Sequence, residues 1–146
     1  MPQSILLVDD EPQTRDLLRL MLKRDGYEVF DAEDGFDALE KVQQFKPDAI
    51  LLDVMMPELD GIEVCTRIRA DEKISDIPII MLSARTHTEA VEIGILAGAT
   101  RYLAKPIGRK DLLRNVNEVL EGIPSPEVQL MREQLIARNA RMSESN

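Results

Sequence analysis

Asp9 and Asp10 stand side by side at the end of the apolar run Ile5 to Val8, and Asp53 closes a second run, Ala49 to Leu52. Two further runs end in a hydroxyl and an ammonium group: Ile77 to Leu82 is followed by Ser83, and Tyr102 to Ala104 by Lys105. If the runs are strands of one parallel sheet, their carboxyl ends share an edge, the place where ligands of open α/β sheets bind. Three carboxylates gathered there repel one another and raise each other's pKa unless a cation lies among them. A hard divalent ion such as Mg²⁺ prefers oxygen donors and is often completed by phosphate oxygens. The lone histidine, His87, and the lone cysteine, Cys65, offer no soft-metal cluster. A lysine serves as a point charge and a serine as a hydroxyl donor to a phosphoryl oxygen. Together these groups suit phosphoryl transfer, where catalysis is mostly positioning and charge neutralisation. Asp53 is the best nucleophile, because a carboxylate needs no general base and no Ser/His pair competes.

The elements that must position these residues are legible as unbroken apolar runs, the pattern of strands covered on both faces. A further run spans Tyr27 to Phe30, giving five in all. Between the runs lie helical stripes. Leu17, Leu18, Met21 and Leu22 follow Pro12 and precede Gly26, with proline at the front and glycine just past the end. Phe36, Leu39, Val42 and Phe45 form a second stripe and Ile62, Cys65 and Ile68 a third. Val91, Ile95 and Gly98 form a weaker fourth, and Leu112, Leu113, Val116, Val119 and Leu120 a fifth. Five strand-then-helix repeats imply right-handed crossovers and a doubly wound α/β fold with a five-stranded parallel sheet and helices on both faces.

Length and composition fit that reading. The chain of 146 residues holds one ordinary core. A net charge of −9 argues against a surface built to cover nucleic acid or anionic lipid. With one cysteine there is no internal disulfide, and no apolar run approaches a membrane span, so a cytoplasmic protein without direct nucleic-acid or membrane contact is expected.

LLVDDEP, LLDVMMPELDG, IIMLSA and YLAKP, in this order, resemble the signature segments of the response-regulator receiver (CheY-like) domain of two-component signal transduction, over about residues 4 to 122. The resemblance implies strand order 2-1-3-4-5. It implies that Asp53 is the phosphoacceptor, receiving its phosphoryl group from a sensor histidine kinase or histidine phosphotransfer protein. Asp10, Asp53 and the backbone carbonyl of Met55 would bind Mg²⁺, with Asp9 holding a metal-bound water. Lys105 would pair with Asp53 at rest and with the phosphoryl group afterwards, and a cis bond before Pro106 would aim Lys105 at the crevice. Ser83 and Tyr102 would form the switch pair that alters the face of helix four, strand five and helix five for a downstream protein target.

Plainer readings accompany several residues. Asp10 or Glu11 would cap the helix at Pro12, Asp60 before Gly61 reads as a cap or turn, and Cys65 as a small buried hydrophobe. His87 sits in a polar stretch typical of a helix start. Two departures from the family pattern are visible: Ile107 after Lys105-Pro106, and Thr100-Arg101 before Tyr102. Both are expected to affect partner choice on the switching face. Met55 and Arg85 stand two residues beyond Asp53 and Ser83, positions that the resemblance implies influence how fast water removes the phosphoryl group. Because a thioether cannot orient water as an amide does, Met55 points to a long-lived phosphorylated state.

Residues 1–122 are read as the receiver and 123–146 as an extension without a recognised output domain. The extension opens with Pro124-Ser125-Pro126, carries an apolar stripe at Val128, Met131 and Leu135, and has a polar end from Ser143 to Asn146. A flexible or partly helical extension is the expectation, with a helix that forms a homodimer or docks on a partner as the alternative to a free tail. Two other functions compete with a stand-alone receiver. A haloacid-dehalogenase-type phosphatase would need a second aspartate where Met55 stands. A receiver-like binding module that is never phosphorylated would have no use for the full set of Asp9, Asp10, Asp53, Ser83 and Lys105.

Overall fold

The structure, a computed structural model, describes residues 2–144. Five strands, β1 (Ser4–Val8), β2 (Glu28–Ala32), β3 (Ala49–Asp53), β4 (Ile79–Ser83) and β5 (Arg101–Ala104), alternate with helices. These are α1 (Pro12–Arg24), α2 (Gly35–Phe45), α3 (Gly61–Ala70), α4 (Thr88–Ala97) and α5 (Arg109–Leu120). The strands form one parallel sheet in the order β2-β1-β3-β4-β5, as the family resemblance implies.

Alternation along each strand divides the core into two layers. Leu6, Val8, Ile50, Leu52, Ile79 and Met81 project to one face, where they meet Val42 of α2, Val64 and Ile68 of α3, and Ile95 of α4. Ile5, Leu7, Leu51, Ile80 and Leu82 project to the other, against Leu18 and Leu22 of α1 and Leu112 and Val116 of α5. Both faces are therefore apolar, which is why the runs are unbroken. Polar groups are displaced to the strand ends.

Three stripe residues are exposed: Leu17 on α1, and Phe36 and Phe45 on α2. On α2 the close approach to the body is made by small residues instead, since a Cβ on Gly35 would lie 2.6 Å from the Leu59 carbonyl oxygen. Phe45, at the far end of α2, stacks on Phe30 of β2 with ring centroids 4.0 Å apart.

The extension, expected to be partly helical or flexible, forms a sixth helix, α6 (Pro126–Glu144), packed along α4. Leu135 is 3% exposed, and Val128 and Met131 join the α4 side of the core. The stripe has found a face on its own chain, which removes the entropic argument for a free tail. Of the polar end, Ser145 and Asn146 lie outside the described residues. Among the described residues no helix is long and apolar enough to cross a membrane.

Candidate functional site

The carboxyl ends of β1, β3 and β4 and the segment after β5 meet at one edge of the sheet. Asp9 follows β1 directly, with its amide donating to the Ala32 carbonyl of β2 at 3.2 Å. Its side chain is 1% exposed and accepts a hydrogen bond from the Glu11 amide at 2.9 Å, which folds the turn into α1. Arg15, one turn into α1, donates to the Asp9 carbonyl at 2.6 Å and fixes the same turn from behind. Neither Asp10 nor Glu11 caps α1: Glu11 holds the cap position without a side-chain cap bond, and Pro12, which has no amide proton, leaves one fewer donor to satisfy. Asp10 stays half-buried on the crevice side.

Asp53 is the last residue of β3 and is 4% exposed. Ligand oxygens of Asp9, Asp10 and Asp53 all lie within 4.8 Å of one another, a grouping that separations of one and forty-odd residues could not make without the parallel sheet. Lys105 reaches the group from beyond β5, its amide tied to the Ser83 carbonyl at 2.9 Å. Its ammonium lies 2.8 Å from Asp9 and 3.5 Å from Asp53. The expected resting pair of Lys105 with Asp53 is therefore a three-membered arrangement whose shortest contact is with Asp9. Each carboxylate also accepts a backbone amide, Asp9 that of Glu11 and Asp53 that of Met55 at 3.2 Å. The Lys105–Pro106 bond is cis.

Electrostatics show the strain of this grouping. Burial, together with the charges of Asp9 and Asp10, pushes the Asp53 carboxyl up to about 6 despite the opposing pull of Lys105 and the Met55 amide. Burial works against the Lys105 ammonium, but its hydrogen bond to Asp9 and the two carboxylate charges outweigh it and hold its pKa above the ordinary lysine value. An oxygen-only donor set carrying excess negative charge fits a hard divalent cation such as Mg²⁺.

Ser83 ends β4, fully buried, and its hydroxyl accepts from the Arg85 amide at 3.0 Å. Tyr102 on the neighbouring strand is half-buried, and its hydroxyl donates to the Arg85 carbonyl at 2.6 Å. The Tyr102 ring occupies the space left by Gly94 in α4: a Cβ there would stand 2.7 Å from Cδ2 of the ring. Met55 and Arg85 are exposed and line an open pocket of about 560 Å³ beside the crevice, with Ile62, Ile93 and Tyr102.

The plainer readings of Asp60, Cys65 and His87 agree with their surroundings. Asp60 accepts from the Glu63 amide at 2.9 Å as the cap of α3. Cys65 is buried, and burial pushes its thiol up to about 11. His87 precedes α4 on the surface. Arg101 differs from expectation, for it does not shape an outer face. It is 5% exposed and points inward, donating to Asn115 at 2.9 Å, Glu118 at 2.6 Å and the Ile123 carbonyl at 2.8 Å.

One positioning residue, Gly61, closes the segment LLDVMMPELDG, where its sequence context points only to a cap or turn. The Gly61 amide donates to the Val54 carbonyl at 2.9 Å, and a Cβ on Gly61 would lie 2.5 Å from the Asp53 carbonyl oxygen and 2.7 Å from the Val54 Cα. Backbone cannot yield as a side chain tip does. Gly61→Ala should therefore cost about 1–3 kcal/mol by overpacking and shift the Asp53 segment. Chemical denaturation measures the first effect, and the amide resonances of Val54 and Met55 report the second.

The model of the response regulator receiver domain matches residues 5–117. Response regulator MprA of Mycobacterium sp. (strain KMS) is 42% identical over 132 residues, covering 86% of this chain and 56% of that protein. DNA-binding response regulator MtrA of Mycolicibacterium smegmatis is 41% identical over 116 residues, 80% of this chain and 50% of that protein. The chain thus spans about half the length of the curated relatives it matches. Among solved structures, Vibrio cholerae chemotaxis protein CheY4 has a TM-score of 0.78 at 35% identity, covering 82% of this chain and 99% of that one. The receiver domain of sensor histidine kinase PA1611 from Pseudomonas aeruginosa PAO1, which carries a magnesium ion in its active-site cleft, has a TM-score of 0.78 at 36% identity, covering 83% and 99%. Sheet order, acidic cluster and sequence agree, and the chain belongs to the response-regulator receiver domain family of two-component signal transduction.

Proposed function

We propose that Asp53 accepts a phosphoryl group from a phosphohistidine on a sensor histidine kinase or phosphotransfer protein, and that the chain signals as a receiver through the face made by α4, β5 and α5. The observation that carries this reading is the convergence of Asp9, Asp10, Asp53 and Lys105 in one crevice, with Asp53 almost wholly buried. An Asp53 oxygen forms the new bond to phosphorus as the P–N bond breaks, its electron pair leaving with the imidazole. Above about pH 6 the carboxylate is ionised, so the step needs no general base. The Lys105 ammonium neutralises charge gathered on the phosphoryl oxygens, and the Ser83 hydroxyl moves to donate to one of them. Asp10, Asp53 and the Met55 carbonyl would hold Mg²⁺, with Asp9 acting through water, and the ion would supply further neutralisation of those oxygens. Tyr102 turns inward as Ser83 moves, giving up its bond to the Arg85 carbonyl, and so alters what partners meet on α4 and β5. The name of the MtrA relative includes DNA binding. The acidic balance of this chain favours a protein target for the segment described.

Incubation with acetyl phosphate and Mg²⁺ followed by intact-mass measurement tests the proposal. The wild type should gain one phosphoryl group and Asp53→Asn none. No gain under any condition would favour a phosphorylation-independent binding module. The exposed thioether of Met55 beside the crevice supports slow loss of the phosphoryl group. Met55→Asn should speed that loss about tenfold, the worth of one added hydrogen bond to the attacking water. An unchanged decay rate would remove this reason for a long-lived state.

A further inference from the structure

Helix α6 lies on the face through which the proposed function would act. Arg132 donates to the Ala99 carbonyl at 2.6 Å, and Arg138 pairs with Glu92 at 3.0 Å. As α6 advances its contacts move back along α4, so the two helices run antiparallel. The stripe Val128, Met131 and Leu135 continues in heptad spacing to Arg138, with Glu92 placed opposite the charged position. The root of α6 is fastened through Arg101, whose guanidinium binds the Ile123 carbonyl together with Asn115 and Glu118 of α5. Arg101 is the residue immediately before Tyr102 on β5.

Helix α4 therefore has Tyr102 on one side, seated against Gly94, and α6 on another. Tyr102 also lines a groove of about 670 Å³ together with Val91, Ile95, Arg101, Val128 and Met131, so the aromatic ring and the strap share a wall. Helix α6 is held chiefly through α4. Leu135 is its one buried residue among those described, while Leu130 and Ile136 face outward. Most helical stability in a protein comes from packing an amphipathic face rather than from intrinsic propensity, so the order of α6 depends on α4. An element held chiefly through one neighbour can open without the rest of the fold.

We propose that α6 is an internal strap that covers α4 in the resting state and is loosened when Tyr102 turns inward. The proposal rests on the phosphoacceptor reading of Asp53. Phosphorylation withdraws the ring from its seat against Gly94, α4 readjusts, and the fit of α4 to Val128, Met131 and Leu135 weakens. Release uncovers the Val91 and Ile95 side of α4 together with the apolar stripe of α6. The strap thus keeps that surface from partners until the signal arrives.

Hydrogen exchange of residues 126–144, measured on the full chain with and without acetyl phosphate and Mg²⁺, tests this, with intact mass recording phosphoryl uptake in the same samples. Exchange in α6 should rise about tenfold on phosphorylation of the wild type and stay constant in Asp53→Asn. Leu135→Ala should raise α6 exchange by a similar factor before phosphorylation, with α1 to α5 unaffected. Phosphoryl uptake with α6 exchange unchanged or slowed overturns the coupling and leaves the phosphoacceptor reading standing. A Leu135→Ala chain whose α6 exchanges at the wild-type rate overturns the packing on which the strap depends. Absence of phosphoryl uptake in the wild type removes the phosphoacceptor reading and the coupling together.

Discussion

Lys105→Ala is expected to cost the metal-free protein about 3 kcal/mol of stability and to slow phosphoryl uptake from acetyl phosphate about 100-fold or more. The ammonium lies within 3.5 Å of two carboxylates that are at most 4% exposed. Its removal leaves both without a cation at that distance among the described residues. Breaking one partner out of a buried ion pair typically costs about 3–5 kcal/mol, because the remaining charge is neither hydrated nor paired. Lys105 is itself 17% exposed, which admits some water and places the effect at the lower end. The kinetic loss has two sources. The phosphoryl oxygens lose a donor aimed at developing charge, and Asp53, already pushed up to about 6, rises further once its principal stabilising cation is gone. Urea denaturation in chelator and the time course of intact mass measure the two effects. Adding Asp9→Asn should restore part of the stability, since only one buried carboxylate then remains, while uptake should stay slow. A Lys105→Ala protein as stable as the wild type would mean that water, not the ammonium, solvates Asp9.

The parts of the site that were legible from sequence are those fixed by strand ends. Asp9, Asp53 and Ser83 terminate runs whose only workable arrangement is a parallel sheet covered on both sides, so their meeting at one edge follows from topology. Lys105 reaches the same edge because it follows β5 directly. What the sequence did not disclose depends on distances between elements. Gly61 resembles an ordinary helix-start glycine until α3 is seen lying against the Asp53 backbone. Leu17 and Phe36 satisfy helical periodicity yet face outward, because a stripe wider than the contact it serves leaves its edge in water. Arg101 read as a surface departure from the family pattern. Only the path of the chain after α5 shows that its guanidinium is the fastening of a sixth helix. The α6 stripe was visible, but three apolar positions say nothing of which face will receive them.

The second large effect has the opposite sign. Asp53→Asn should stabilise the metal-free protein at pH 7.5 by about 3 kcal/mol, or about 10 °C in Tm for a domain of this size. The Asp53 carboxyl has a pKa near 3.8 when the chain is unfolded and about 6 when folded. Between these values the folded state binds the proton more tightly, so stability falls as pH rises. The loss is complete above about 6, and at about 1.4 kcal/mol per unit the difference amounts to about 3 kcal/mol. Asparagine carries no charge and keeps an oxygen for the Met55 amide, while Lys105 keeps Asp9. The advantage of Asp53→Asn should therefore be large at pH 7.5 and shrink as pH is lowered through 6, as thermal melts in chelator would record. A divalent cation that binds only the folded state adds stability by mass action. Mg²⁺ should raise the melting temperature of the wild type more at pH 7.5 than at pH 5, and that of Asp53→Asn much less. An advantage independent of pH would show that Asp53 is not the group whose ionisation opposes folding. The same ionised carboxylate that weakens the resting fold is the proposed nucleophile, so the stability lost by keeping Asp53 charged and buried is the measurable counterpart of its readiness to take a phosphoryl group.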